Sequence, residues 1–157
     1  MPTITPFLWF DDQAEEAAKF YTSIFKRSKI LEVTRQPGAK RGQKGAAMTV
    51  VFRLEGQTFM ALNGGPGFPF TEAISLYVDC RTQREVDTLW RKLLRGGEPS
   101  RCGWLKDRFG VSWQIVPSIL GKYLSDPDPE KANRVLDAML KMVKLDIAEL
   151  TRAYKGE

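Results

Sequence analysis

Apolar residues change their spacing along the chain in a regular order, and that order predicts the elements. Ile4 to Phe10 reads as a strand. Asp12-Gln13-Ala14-Glu15 then has the form of a capping box, an acceptor at the cap and a Glu three residues on. Ala14, Ala17, Ala18, Tyr21, Ile24 and Phe25 fall on one helical face, with Glu15, Glu16, Lys19 and Lys26 on the other. Three strands are expected next, near Lys29 to Arg35, Ala46 to Glu55 and Gln57 to Asn63, the last two joined by a tight turn at Glu55-Gly56.

The same order then recurs. Ala73 to Val78 predicts a strand and Thr82-Gln83-Arg84-Glu85 a second capping box. Val86, Leu89, Trp90, Leu93 and Leu94 make a helical stripe that stops at Gly96-Gly97. The run from Cys102 to Pro117 predicts two short strands around a turn at Asp107-Arg108-Phe109-Gly110. Aligned on itself, the chain matches Leu8-Trp9-Phe10-Asp11 with Leu76-Tyr77-Val78-Asp79, and Gly56-Gln57-Thr58-Phe59 with Gly110-Val111-Ser112-Trp113. A strand-helix-strand-strand-strand unit is thus used twice. Two half-open sheets of this kind are expected to share a core and leave a cleft for a ligand.

A third region follows. A short helix is expected from Ser118 to Leu124, and Asp126-Pro127-Asp128-Pro129 separates it from a second, with Asp128 as cap and Pro129 in the first turn. Ala132, Val135, Leu136, Met139 and Val143 give that helix an apolar face. Asp146 with Glu149 opens a last helix that ends near Tyr154. Met139 and Met142 read as adaptable packing residues. The organisation is one domain over 1–157: a first module about 1–66, a second about 70–117 and a helical tail 118–157.

Composition narrows the function classes. The net charge is +5, and residues 118–157 carry seven basic and seven acidic side chains, so the excess lies before them. Its densest stretch, Arg35 to Gly45, is rich in glycine and lacks the aromatics a nucleic-acid surface interleaves with its cations, so a solvated loop is expected and no nucleic-acid partner. No apolar run approaches the roughly 20 residues of a membrane span, and Met1 to Asp12 has neither a basic start nor a cleavage site. Cys80 and Cys102 lack metal-type spacing and fit a reducing compartment, so a cytoplasmic protein without membrane contact is expected.

Candidate chemistry is sparse. Cys102, beside Arg101, is a conceivable nucleophile, yet the chain has no histidine to act as its base. Glu72 and Glu55 are conceivable acid/base groups. Asn63-Gly64-Gly65-Pro66-Gly67 has the glycines of a phosphate loop, but Pro66 removes a donor and Phe68-Pro69-Phe70 replaces the helix such a site needs. Trp9, Phe59, Tyr77, Trp104 and Trp113 lie on or beside strands, and those that face inward are expected to line an apolar pocket with the amides of Asn63 and Gln114.

Several of these segments carry a resemblance. Ile4 to Phe10, Glu15 to Tyr21, Phe59 to Pro66 and Ile74 to Val78 resemble PhnB-like proteins of the glyoxalase/bleomycin-resistance/vicinal-oxygen-chelate superfamily, a group often labelled 3-demethylubiquinone-9 3-methyltransferase. Asp126 to Lys131 and Leu145 to Leu150 in the tail resemble the same group. The resemblance implies an α+β fold of paired βαβββ modules forming a curved mixed sheet, with C-terminal helices, and a homodimer. In many superfamily members it also implies a divalent metal held by His, Gln or Glu. Carried over position by position, the four ligand slots fall near Pro6, Met60 and Ala73 and on Gln114. A one-residue shift brings only Glu72 within reach, so no metal and no cofactor are expected. Met60 and Gln114 occupy corresponding positions in the internal alignment, which supports the mapping.

The reading that follows is a metal-independent, dimeric, small-molecule-binding protein. Two alternatives stay open: an enzyme of the vicinal-oxygen-chelate type that acts through Cys102 or a carboxylate on an electrophilic or quinone-like substrate, and a structural or regulatory dimer with its pocket filled. Neither the ligand nor a reaction can be named from the sequence.

Overall fold

The computed structural model describes residues 1–37 and 47–157. Most of the basic run from Arg35 to Gly45, and Ala46 at the expected start of the third strand, lie outside the described residues. The chain divides into two compact units, Met1–Phe70 and Thr71–Glu157.

The first unit holds β1 (Phe7–Phe10), α1 (Ala14–Ile24), β2 (Lys29–Arg35), β3 (Ala47–Leu54) and β4 (Gln57–Asn63). Its sheet runs β1-β4-β3-β2, with β1 parallel to β4 and the other pairs antiparallel. One strand face packs on α1: Leu8, Phe10, Val50, Phe52, Leu54, Phe59 and Ala61 are buried there with Ala14, Ala17, Ala18 and Tyr21 of the helix. Phe52 stacks on Phe59 at 5.5 Å between ring centroids and meets Tyr21 at 6.2 Å, the centre of this core. Two irregularities in the β2–β3 register set Leu31 and Met48 outside the regular pairs, which leaves both exposed.

Helix α1 starts differently from the expectation. The cap is Gln13, and its side chain makes no capping bond. The Ala14 N–H donates instead to Oδ1 of Asn63, at 2.8 Å across 49 residues of chain, while Asn63 Nδ2 donates to the Ala47 carbonyl at 3.0 Å. The capping box read at Asp12 is therefore corrected: an amide at the end of β4 satisfies the orphan donor of the first turn.

The second unit repeats the order with β5 (Ser75–Cys80), α2 (Gln83–Leu94), β6 (Glu98–Pro99), β7 (Trp104–Lys106) and β8 (Ser112–Pro117). The sheet order is β5-β8-β7-β6, with β5 parallel to β8. Strand β5 begins two residues later than expected, so Ala73 lies before it and is exposed. Thr82 caps α2 as expected, its hydroxyl accepting from the Glu85 N–H at 3.1 Å. Val86, Trp90 and Leu93 of α2 are buried, as are Leu105, Trp113 and Ile115 on the strands. The turn at Asp107 is held by that residue's own carboxylate. Its Oδ1 accepts from the N–H groups of Phe109 and Val111, and its Oδ2 from the Trp113 indole at 2.9 Å, which explains how a carboxylate only 3 % exposed is tolerated.

The tail folds onto this second unit as α3 (Ser118–Leu124), α4 (Pro129–Leu140) and α5 (Ile147–Lys155). Asp128 and Asp146 cap α4 and α5 as the sequence predicts. Val116, Leu120, Val135, Met142, Leu145 and Leu150 form a core with Tyr123, Ala138, Met139 and Tyr154 against it. Leu136, expected on the apolar face of α4, is 37 % exposed, and Val143, expected on the same face, lies beyond the end of the helix at Leu140 and is 48 % exposed, so the buried stripe is narrower and shorter than the sequence suggests. Polar links complete the docking. Gln83 donates to the Leu145 carbonyl and accepts from the Ile147 N–H, Lys144 pairs with Asp87 at 2.8 Å, and the N–H groups of Cys102 and Gly103 donate to the carbonyls of Met142 and Val143.

Among the described residues, no helix is long and apolar enough to cross a membrane.

Candidate functional site

Each sheet has a face turned away from its packed helix, and strand register decides which residues reach it. In the first unit Phe7 pairs with Met60 and Met60 with Val51; in the next row Trp9 pairs with Leu62 and Leu62 with Thr49. Alternation puts all six on the helix-free face. Trp9 is held there. Its indole N–H donates to the Gly65 carbonyl at 2.9 Å, and Phe68 meets its ring edge-on at 5.0 Å. A Cβ at Gly64 would overlap the Trp9 ring and the Leu62 side chain, so this stretch of the Asn63–Gly67 glycine run lets the backbone pass close to an aromatic.

In the second unit the corresponding face carries Ser75, Ser112 and Lys106 in one row and Tyr77, Gln114 and Trp104 in the next. Gln114 Nε2 donates to Ser75 Oγ at 2.9 Å, and Tyr77 is 60 % exposed. Lys106 pairs with Glu72 at 2.6 Å. That bond holds the Glu72 carboxyl below its ordinary range and lifts the Lys106 ammonium above its own. Partial burial, and then the charge of Asp79, raise the Tyr77 hydroxyl above its ordinary range.

The sequence candidates therefore separate. Trp9, Tyr77, Trp104 and Gln114 stand on helix-free faces. Phe59 and Trp113, only 8 % and 2 % exposed, belong to the helix-facing cores, and the amide of Asn63 is occupied by Ala14 and Ala47. Those three are corrected from pocket lining to core packing and helix capping, because one residue along a strand reverses the face. Met60, Leu62, Ser75, Ser112 and Lys106 were missed as face residues, and only the register identifies them. Glu72 is tied to Lys106, and Glu55 to Arg27 at 3.4 Å and to the Lys26 N–H. Cys102 is half-buried in a turn at φ 59°, and burial pushes the Cys80 thiol up to about 12.

The inherited ligand slots do not assemble donors for a divalent ion. Pro6, with no side-chain donor, precedes β1, Met60 offers a thioether, Ala73 lies outside β5, and the amide nitrogen of Gln114 is bonded to Ser75. Among the described residues no group of three or more His, Cys, Asp or Glu is placed to hold a metal ion. The register also qualifies the internal alignment. Met60 lies beside Phe7 and Gln114 beside Tyr77, so Met60 and Gln114 correspond only if Phe7, not Trp9, is the counterpart of Tyr77.

Two four-stranded mixed sheets, each built from a strand-helix-strand-strand-strand unit, define an α+β protein of the glyoxalase type. A glyoxylase/bleomycin resistance protein/dioxygenase domain from Frankia shares the fold at a TM-score of 0.50 and 14% identity, with 74% of this chain and 92% of that chain covered. The model of the 3-demethylubiquinone-9 3-methyltransferase family matches residues 2–116, and the chain belongs to that family. It is similar to a PhnB protein from Bacillus cereus described as a putative 3-demethylubiquinone-9 3-methyltransferase, with 39% identity, a TM-score of 0.67, and 74% of this chain and 99% of that chain covered. Protein PA1353 from Pseudomonas aeruginosa has the same fold at 20% identity and a TM-score of 0.62, covering 74% of this chain and 98% of its own. No curated protein matches the chain. The family match stops at residue 116, so the likeness expected of the tail is not carried by it.

Proposed function

We propose that this PhnB-like protein binds a small, partly apolar molecule on one of the helix-free faces of its sheets, and does so without a metal ion. The observation that carries the reading is the composition of those faces: Phe7, Trp9, Met60 and Leu62 in the first unit, and the exposed Tyr77 beside Gln114 in the second. Aromatic rings with a few amide and hydroxyl groups suit a ligand with a ring and a polar substituent. The donor set at Pro6, Met60, Ala73 and Gln114 supports metal independence, since it offers neither imidazole nor carboxylate. The methyl transfer named in the family's description has no support in the chain's own chemistry: the glycine run after β4 leads into Phe68-Pro69-Phe70 and not into a helix.

The test is a titration with 2-naphthol followed by tryptophan fluorescence. Saturable binding at one site per chain is expected; a linear, non-saturating response would sink the reading. We place the protein in the cytoplasm as a homodimer, supported by two free thiols and by the apolar Leu136, Leu140 and Val143 of the tail, each more than a third exposed. Light scattering is expected to give twice 17.8 kDa, and the monomer mass would contradict the dimer.

A further inference from the structure

The second sheet holds a hydroxyl that its own fold does not use. Ser112 is 1 % exposed, and its Oγ has no hydrogen-bond partner among the described residues, a condition that costs free energy wherever it persists. Its neighbours in the register are Ser75 on one side and Lys106 on the other. By strand alternation the three side chains share the helix-free face. Ser75 Oγ already accepts from Gln114, which turns the Ser75 proton toward a further acceptor. Lys106 can donate three hydrogens, and the partner it holds is a carboxylate, that of Glu72 in the turn before β5. Glu72 is the more exposed member of that pair, with a side chain 65 % accessible, so it can leave at little cost.

We propose that this row is a recognition site for a carboxylate-bearing ligand. The ligand's carboxylate replaces that of Glu72 on Lys106 and accepts from the hydroxyls of Ser112 and Ser75, while its apolar body lies toward Tyr77. The site contains two hydroxyls, one ammonium and one displaceable internal carboxylate, so it accepts an anion and rejects a cation. This deepens the small-molecule reading above and rests on it.

The probes are 2-naphthol, 2-naphthoate and 2-naphthyl phosphate, titrated against the intact protein at neutral pH. 2-Naphthoate is expected to bind about tenfold more tightly than 2-naphthol, the usual gain from a charge-assisted hydrogen bond. Lys106→Met removes that advantage, so that 2-naphthoate binds no more tightly than 2-naphthol. Ser112→Ala weakens 2-naphthoate severalfold without lowering the melting temperature, because the hydroxyl it removes has no partner to lose. Glu72→Gln acts in the opposite direction and strengthens 2-naphthoate. Equal affinities for 2-naphthol and 2-naphthoate, a carboxylate preference that survives Lys106→Met, or tighter binding of the phosphate than of the carboxylate would each overturn the assignment while leaving small-molecule binding intact. Absence of binding by all three probes would overturn both.

Discussion

Asn63 illustrates how a residue's role depends on what the fold places beside it. Its amide looks like a pocket group in the sequence, yet it caps α1 with one atom and holds the start of β3 with the other. Asn63→Ala is expected to destabilise the first unit by about 1–2 kcal/mol, the range for a lost cap, with the change read from chemical denaturation. An unchanged midpoint would show that water replaces the amide freely. The cysteines divide in the same way. Cys80 is fully buried and its thiol is pushed up to about 12, whereas Cys102 is half-buried in a turn. Iodoacetamide at pH 8 is expected to label Cys102 and to reach Cys80 only in denaturant. Rapid double labelling of the native protein would contradict the placement of Cys80.

Among the elements, what was legible in the sequence was local. Thr82, Asp128 and Asp146 cap helices through N–H groups two or three residues away, so the sequence pattern contains the whole interaction. The cap of α1 comes from a residue 49 positions distant, and no local pattern contains it. Strand faces were the larger loss. The aromatic at 113 and the amide at 114 sit next to each other in sequence and on opposite faces of β8, and only the pairing with Tyr77 and Trp104 says which is which. The bulges around Leu31 and Met48 break the alternation by which the faces of the first sheet are read from sequence.

Asp87 is held below the ordinary carboxylate range by the bond from Lys144 and then by that from Gln83, and Asp126 by the Tyr154 hydroxyl and then by the Asp128 N–H. A carboxyl lowered in the folded state stabilises it above the unfolded value of about 4 and loses that contribution as pH falls through the folded one. Acid is therefore expected to loosen α5 before the strands of the first unit. The amide-exchange protection of Ile147–Lys155, measured at pH 6 and below pH 4 and corrected for intrinsic rates, reads this directly. Protection lost equally in β3 and α5 would mean that these carboxylates do not set the docking.

For the molecule as a whole, the family pattern and the ligand chemistry part company. The fold order, the repeated unit and the match over residues 2–116 were foreshadowed by segments such as Ile4 to Phe10 and Phe59 to Pro66. The face chemistry was not, because Met60, Leu62, Ser112 and Lys106 acquire meaning only when the strands are set side by side. The tail adds 40 residues beyond the matched modules and ties itself to the second unit through Gln83, Asp87 and Gly103. Binding without metal is tested by the 2-naphthol titration repeated after exhaustive EDTA treatment. The same saturable curve with the same midpoint is expected before and after chelation; loss of binding on chelation, restored by a divalent ion, would show that a metal holds the ligand.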